Sequence, residues 1–442
     1  MALLPVLVAP RPSAAFQGAK LPLPPDFSPP RTIPKLFQIE DERITGEKFD
    51  NWNKTERTKY QEALRSRSLD GNIEGKTVRK RITDGIQMRV LRFSLKSQRP
   101  HLKKLRKEIE VDLDFNARDA AIRKFALDQI VEQSRLLLSG NFHVRLHIVL
   151  LVGNLNLEKE KIGVGAKPAI AYTGGAPLLL SVVSETLDGK PVPQSEAIKI
   201  LAVHGLKRIL NHGTFPRQAT EKNRIRISES LLQELQQTTD GNYELALMHA
   251  LANAGIPLIA DPSGTPRPQI VTALARVMVD PKRSLRNRCR AAHLLGITPI
   301  PSGVQAAPIA WGIAQLASQI ATQYGKRIPP THAIFYFQDL YLALTPPKGK
   351  STSDGKQRAG LRSTLKSPSI EKTYEAIRPI MAFFVTTLIG KTPKPPATIP
   401  ESMTQKFSEF KKPASMSIQA DAPPIDQKQN RSPEERSGPP AG

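Results

Sequence analysis

The stretch Arg290-Ala291-Ala292-His293-Leu294-Leu295-Gly296, with one histidine among small and aliphatic residues, decides the predicted fold. Its pattern recurs three times earlier in the chain, at residues 145–149, 202–206 and 247–251. The histidines of these segments, His147, His204, His249 and His293, follow one another at intervals of 57, 45 and 44 residues. A self-match every 40 to 50 residues is typical of arrays in which each repeat is one pair of helices.

Each of the four segments lies in the second of two apolar helices. In these helices the aliphatic residues recur every three or four positions, and a short break containing glycine, proline or asparagine separates the two. We predict five such pairs, at residues 117–152, 178–210, 225–254, 269–295 and 308–344. The predicted fold class is therefore all-α, an α-solenoid of about five helical hairpins with disordered N- and C-terminal segments.

Residues 270–297 resemble a HEAT repeat, with Asp280-Pro281 in the turn and residues 290–296 in the second helix. Residues 178–210 are similar, and the resemblance to this armadillo-type helical repeat family covers roughly residues 117–344. It implies a stack of helix pairs that serves as a binding scaffold and carries no catalytic centre. The loops at 156–173 and 211–222 depart from the family's tight turns.

The composition changes outside the repeats. Prolines are frequent near both ends, and lysine, serine and glycine dominate after the last predicted pair. We predict a signal peptide at 1–15, a Pro-rich linker at 16–40, a basic region at 41–116, a flexible basic loop at 345–369, a capping helix at 370–390 and a disordered Pro-rich tail at 391–442.

The first residues indicate an export signal. Residues 1–9 are mostly aliphatic, and Ser13-Ala14-Ala15 offers the small residues that signal peptidase prefers, although no positive segment precedes them. The alternative is a Pro-rich tail that begins with aliphatic residues and stays in the cytoplasm. Export to the periplasm or beyond is the preferred interpretation. We expect no transmembrane segment, since no apolar run approaches 18 residues.

The charge is strongly basic, with a formal net charge of +24. Much of it falls within residues 76–107, where a polyanion is the expected partner: acidic polymer or lipid headgroup if exported, nucleic acid if retained. The candidate contacts are Arg79, Lys80, Arg81, Lys103, Lys104, Arg106 and Lys107. Phe93 is the only aromatic residue in this segment, so contacts to phosphate are expected rather than base stacking. Ile86, Met88 and Val90 alternate there, which predicts a short strand or extended segment.

The four aligned histidines admit two interpretations. Side by side in a stack, their helices would lie about 8–10 Å apart, too far for neighbouring imidazoles to share one metal ion. They are then either a structural ladder or a binding line that gains charge below about pH 6. His143 and His147 lie one helical turn apart without a third ligand nearby, and we predict neither a metal site nor a cofactor.

The enzyme class has little support in the sequence. Gly163-Val164-Gly165 and Gly174-Gly175 lack the lysine and hydroxyl residue of a phosphate-binding loop, and no Gly-x-Ser-x-Gly motif occurs. Cys289 is the only cysteine, and its predicted place on an apolar helix favours an inert core residue. A non-enzymatic scaffold for protein or polyanion binding is the prediction. A cytoplasmic nucleic-acid-binding repeat protein, or an enzyme with its site in the loops 156–173 or 211–222, are the alternatives.

Overall fold

The fold is described from a computed structural model, for residues 43, 44, 47, 52–67, 69, 73–161, 163, 165–211, 219–345, 360–389 and 396–418. Most of these residues lie in helices. The strands among them are two or three residues long and form three antiparallel pairs. The pairs are Asn156–Glu158 with Ile170–Ala171, Thr186–Leu187 with Lys190–Pro191, and Ile259–Ala260 with Pro266–Arg267. The described part of the chain is therefore all-α in class.

Within residues 117–344 the helices begin and end close to the bounds that the apolar periodicity predicts. The first three precede the predicted repeats: α1 (Lys54–Arg65), α2 (Ile73–Leu91) and α3 (Leu102–Asn116). The next ten are α4 (Ala120–Arg135), α5 (Phe142–Asn154), α6 (Ala176–Val183), α7 (Glu196–Leu210), α8 (Glu221–Gln237), α9 (Gly241–Ala252), α10 (Gln269–Val279), α11 (Leu285–Leu295), α12 (Ala306–Gln323) and α13 (Pro330–Leu344). Three follow: α14 (Leu361–Leu365), α15 (Pro368–Ile389) and α16 (Glu401–Thr404).

Alternate helices pack on one another. α3, α5, α7, α9, α11 and α13, which we call the second helices, each contact the next in this order. Of the helices between them, α6 contacts α8, α8 contacts α10, and α10 contacts α12. α15 packs on both α12 and α13. The apolar core is continuous, and it includes residues of α1 and of α15.

Glycines allow two of the second helices to approach closely. A Cβ atom on Gly205 of α7 would lie 2.8 Å from the Cα atom of Gly153 on α5. No real Cβ atom tolerates that distance to backbone, so the α5 and α7 backbones cross here because both residues lack side chains. At the end of α11, a Cβ atom on Gly296 would meet the backbone of Ala343 in the same way.

Buried polar groups join successive second helices. The Glu244 carboxylate on α9 is 2 % exposed; it forms an ion pair with Arg283 at 2.6 Å and accepts a hydrogen bond from Asn287 on α11 at 2.5 Å. The Lys199 ammonium on α7 lies 2.7 Å from Glu234 on α8, which also accepts from the Tyr243 hydroxyl of α9. Such buried charges are stabilising only when paired, so these joints fix how one helix sits on the next.

The predicted strand around Ile86, Met88 and Val90 is wrong. These residues lie in α2, which packs on α1 and on α4. A helix that contacts neighbours on two sides buries apolar residues on more than one of its faces. Apolar side chains at alternate positions can therefore all be buried in a helix, although their spacing is typical of a strand. Ile82 and Ile86, one turn apart, are buried together.

The predicted flexible loop and disordered tail are wrong in part. Residues 360–369 form α14 and the start of α15, with Leu361 fully buried. Residues 396–418 lie against the helices: Phe407 is 2 % exposed, and the amide of Gln305 donates to the carbonyl of Ile418 at 3.0 Å. Buried contacts of this kind hold the segment in place, although its proline content predicted disorder. Residues 346–359, 419–442, and the predicted signal peptide and linker at 1–40 lie outside the described residues.

None of the described helices combines the length and the apolar character that crossing a bilayer requires.

Candidate functional site

The four aligned histidines lie on four successive second helices: His147 on α5, His204 on α7, His249 on α9 and His293 on α11. Each of these helices begins at a residue whose side chain accepts a hydrogen bond from a backbone amide of the first turn. The capping residues are Asn141, Ser195, Asp240 and Ser284. In α7, α9 and α11 the histidine stands at the same position relative to its cap, nine residues after it. The caps therefore set the common register.

The histidines face charged groups of the neighbouring helices. Arg106 on α3 lies close enough to His147 to repel its protonated form, and Lys207 does the same for both His204 and His249. His249 also faces Arg290 and His293 on α11. The structure thus places the sequence-predicted residues on four successively packed helices, and we call these four residues the histidine line.

At each end of the histidine line a charged side chain of the next second helix lies beside the last histidine. Asp339 on α13 lies 46 residues after His293, and its Oδ1 atom is 3.0 Å from the histidine Nδ1 atom. At the other end Arg106, on α3, lies close enough to His147 to lower its pKa. Neither residue is a histidine, so the recurring histidine alone could not reveal them in the sequence.

Burial and neighbouring cations keep most of the histidine line neutral. Partial burial, followed by repulsion from Arg106 and His143, lowers the pKa of His147 to about 4. Burial and Lys207 lower the pKa of His249 to about 4, and the same two causes lower the pKa of His204. His147 and His249 therefore take up protons near pH 4, below the value of about pH 6 on which the binding-line interpretation depends.

Lysines and arginines flank this line on the same helices. Lys103, Lys104 and Lys107 on α3 and Arg286 on α11 are exposed and form no ion pair within the described residues. Arg106 pairs at 3.7 Å with Glu110, and Arg290 pairs at 3.1 Å with Asp339. We call the cations Lys103, Lys107, Lys207, Arg286 and Arg290 the basic stripe.

The structure separates the two halves of the predicted basic cluster. Arg79 on α2 donates to the carbonyl of Leu69 at 2.9 Å and lies over the ring of Phe125 on α4. Lys80 pairs with Asp84 at 3.4 Å along the same helix, and Arg81 is exposed. Within the described residues, no hydrogen bond or ion pair links this triplet to the α3 cations, so only the α3 group adjoins the histidine line.

A cavity of about 470 Å³ opens where the basic stripe meets α13. Arg286 and Arg290 of α11 line it together with His332, Phe335 and Tyr336 of α13. The Phe335 side chain is 63 % exposed, an unusual position for so large an apolar group. Sequence reasoning missed this cavity, because the aromatic residues and the arginines stand on helices that are paired only by the fold.

A second cavity, of about 500 Å³, lies between α8 and α10. Its charged side chains are largely satisfied by one another: Arg267 pairs with Asp261 at 3.3 Å, and Arg283 with Asp280 at 3.4 Å. Accepted hydrogen bonds from Ser263, Thr265 and Arg267 lower the pKa of Asp261. An acid held in its charged form is unsuited to proton donation, and no described residue of the loops 156–173 or 211–222 lines this cavity.

The remaining candidates carry no chemistry. Cys289 is fully buried, and burial raises the pKa of its thiol far above the ordinary range, so the reactive thiolate does not form there. Within the ranges that the structure describes, no three histidine, cysteine or acidic side chains converge as metal ligands would.

Comparison with known proteins returned no matching family model, no matching curated protein and no matching solved structure.

Proposed function

We propose that this chain is a non-enzymatic helical-repeat scaffold, an α-solenoid of HEAT-like type, that binds an extended polyanion along the basic stripe. The successive packing of the second helices, α3 to α13, supports the repeat architecture. The successive contacts of α6, α8, α10 and α12 also support it. In a stack of this kind each helix pair contacts only its neighbours, and one side of the row offers a long continuous surface.

The observation that carries the proposal is the placing of cations on three of the second helices, α3, α7 and α11, where Lys103, Lys107 and Arg286 are exposed and Lys207 and Arg290 are half-buried. Lys103 and Lys107 stand on α3, Lys207 on α7, and Arg286 and Arg290 on α11. At about 8–10 Å per helix, the row from α3 to α13 would span about 40–50 Å. A chain molecule with repeated negative groups matches such a surface better than a small ligand does, because each charge it carries meets a cation in turn.

His147, His204 and His249, whose pKa values are lowered, complete this surface. They supply ring nitrogens that donate or accept hydrogen bonds without adding net charge at neutral pH. The surface is therefore basic without the self-repulsion that three further cations would cause.

Retention on immobilised heparin tests the proposal. The triple variant Lys103→Gln, Lys107→Gln and Arg286→Gln removes three exposed stripe charges without breaking an ion pair of the described residues. The matched control, Lys222→Gln, Lys282→Gln and Lys326→Gln, removes three exposed cations from the start of α8 and from two turns. We expect the slope of log affinity against log salt to fall by about 2–3 in the stripe variant, since each phosphate or sulfate contact contributes about one. Equal losses in both variants would show that only net charge matters and would refute a defined stripe.

The location of the protein decides the source of the polyanion. Export, as the first 15 residues predict, would present acidic polysaccharide or lipid headgroups, and retention would present nucleic acid. Mass spectrometry of the mature N-terminus with cell fractionation separates the two: a chain that begins at Phe16 outside the cytoplasm supports export.

A further inference from the structure

The cavity between α11 and α13 differs in kind from the rest of the basic stripe. Beside the stripe cations Arg286 and Arg290, its wall contains Phe335 and Tyr336. Its volume of about 470 Å³ falls in the range of pockets that hold a small organic group.

The aromatic side chains line one face of a single helix. His332, Phe335 and Tyr336 lie three and four residues apart on α13, so they project to the same side. The His332 and Tyr336 rings are 6.4 Å apart between centroids and tilted by 49°. The Tyr336 ring is half-buried, whereas the Phe335 ring is 63 % exposed. An exposed ring beside a cavity offers a flat apolar surface on which a second flat ring stacks favourably.

Two arginines form the opposite wall. Arg286 is exposed and carries no ion pair within the described part of the chain. The Nη1 atom of Arg290 lies 3.1 Å from Asp339 Oδ1 and 3.0 Å from His293 Nδ1, so that guanidinium is held in place. One fixed and one unpaired guanidinium beside aromatic rings can bind a phosphate and stack on a base at the same site.

We propose that this cavity holds an unpaired base of a single-stranded nucleic acid whose phosphates follow the basic stripe. The inference rests on the proposed polyanion function, names the polyanion, and takes the alternative in which the chain is retained in the cytoplasm. Bases of a duplex are stacked inside it and cannot enter such a cavity, whereas single strands present every base to an aromatic platform. An acidic polysaccharide carries the charge but no aromatic ring, so it leaves the exposed Phe335 without a stacking partner.

Fluorescence anisotropy with labelled oligonucleotides tests this assignment. The probes are a 12-nucleotide oligoadenylate, an abasic strand of equal length and a heparin fragment. Phe335→Ala removes the exposed ring without changing the charge. Phe115→Ala on α3, whose ring is also 63 % exposed but lies outside the cavity, is the matched control. We expect Phe335→Ala to weaken binding of oligoadenylate about 5- to 100-fold, as for loss of one stacked base, and to leave abasic strand and heparin unchanged.

The outcomes separate this inference from the proposed function. Equal oligoadenylate affinity of the wild type and Phe335→Ala, with heparin binding intact, would overturn base stacking and leave the polyanion function standing. Binding of heparin without binding of oligoadenylate by the wild type would point to an acidic polysaccharide and also overturn the inference. If the wild type bound none of the three probes, the proposed function itself would fail. The abasic strand binding as tightly as oligoadenylate would show contacts to phosphate alone.

Discussion

The Nδ1 atom of His293 lies 3.0 Å from the Oδ1 atom of Asp339, which stands 46 residues further along the chain on the neighbouring second helix. Arg290 approaches the same oxygen at 3.1 Å. One carboxylate therefore holds two groups of α11 against α13, at the edge of the proposed base-binding cavity. The same carboxylate is a negative charge beside the basic stripe. It therefore stabilises the fold but weakens the binding of a polyanion.

Replacing the Asp339 carboxylate by an amide should lower stability and raise polyanion affinity. Asp339→Asn keeps the shape but leaves Arg290 without its counter-ion, and the Asp339 side chain is largely buried. We expect the free energy of unfolding to fall by about 1–3 kcal/mol in urea denaturation. We also expect heparin affinity to rise, because a repulsive charge is lost. Glu229→Gln, which removes an exposed carboxylate from α8, controls for net charge. Weaker heparin binding by a folded Asp339→Asn would contradict this account.

The crossing of α5 and α7 at Gly153 and Gly205 predicts a local sensitivity to volume. In Gly205→Ala the new methyl group would lie 2.8 Å from the Gly153 Cα atom and 2.8 Å from Leu179, so the helices must separate. We expect a loss of about 1–3 kcal/mol in unfolding free energy, the usual cost of overpacking. Gly241→Ala, at the start of α9, meets its nearest neighbour at 3.4 Å and should be close to neutral. Similar stability of the two variants would show that the helices do not cross here.

The histidine line predicts how stability depends on pH. In the unfolded chain a histidine has a pKa of about 6.5. In the fold, burial and the cations Arg106, Lys207 and Arg290 lower the pKa of His147 and His249 to about 4, while Asp339 opposes this at His249. Between these pH values the unfolded chain binds more protons, so stability is fully present above about pH 6.5 and is lost as the pH falls toward 4.

Substitution of both histidines measures this contribution. His147→Gln with His249→Gln should flatten the fall in unfolding free energy between pH 6.5 and 4 by on the order of 1 kcal/mol per ring, a value reduced for solvent screening of partly exposed groups. His101→Gln, which replaces an exposed ring just before α3, is the control. An unchanged slope in the double variant would mean that these rings are no more protonated in the unfolded chain than in the fold.

Much of the helical organisation could be predicted from the sequence because it is encoded locally. Apolar periodicity and capping residues such as Ser195 determine where a helix starts, and the predicted bounds of α10 and α11 agree with the structure. The recurring histidine is also a local pattern, and it allowed four candidate residues to be assigned to successive second helices. Packing partners such as Gly153 and Gly205 carry no local signal, because each glycine alone reads as a helix-weakening residue.

The basic surface and the cavity could be predicted only in part. Net charge in residues 76–107 indicated a polyanion partner, yet Arg79 and Lys103 lie on helices whose separation only tertiary packing determines. The aromatic wall at Phe335 was missed because scarcity of aromatics within the basic segment argued against stacking. Its arginine partners stand on α11, more than 40 residues earlier, so composition within one window could not pair them.

The segment at residues 396–418, whose proline content suggested disorder, packs against the helices. Phe407 is 2 % exposed, Lys372 pairs with Glu409 at 3.1 Å, and the Tyr324 hydroxyl donates to the carbonyl of Pro396 at 2.6 Å. Through these contacts the segment covers a surface of α12 and α15 that would otherwise face water. Phe407→Ala should lower the unfolding free energy by about 3 kcal/mol, the cost of deleting a buried aromatic ring, and should speed cleavage of this segment by a protease. Lys411→Ala, an exposed position four residues later, should leave both unchanged. If Phe407→Ala had the same unfolding free energy and the same cleavage rate as the wild type, the segment would not be part of the folded core.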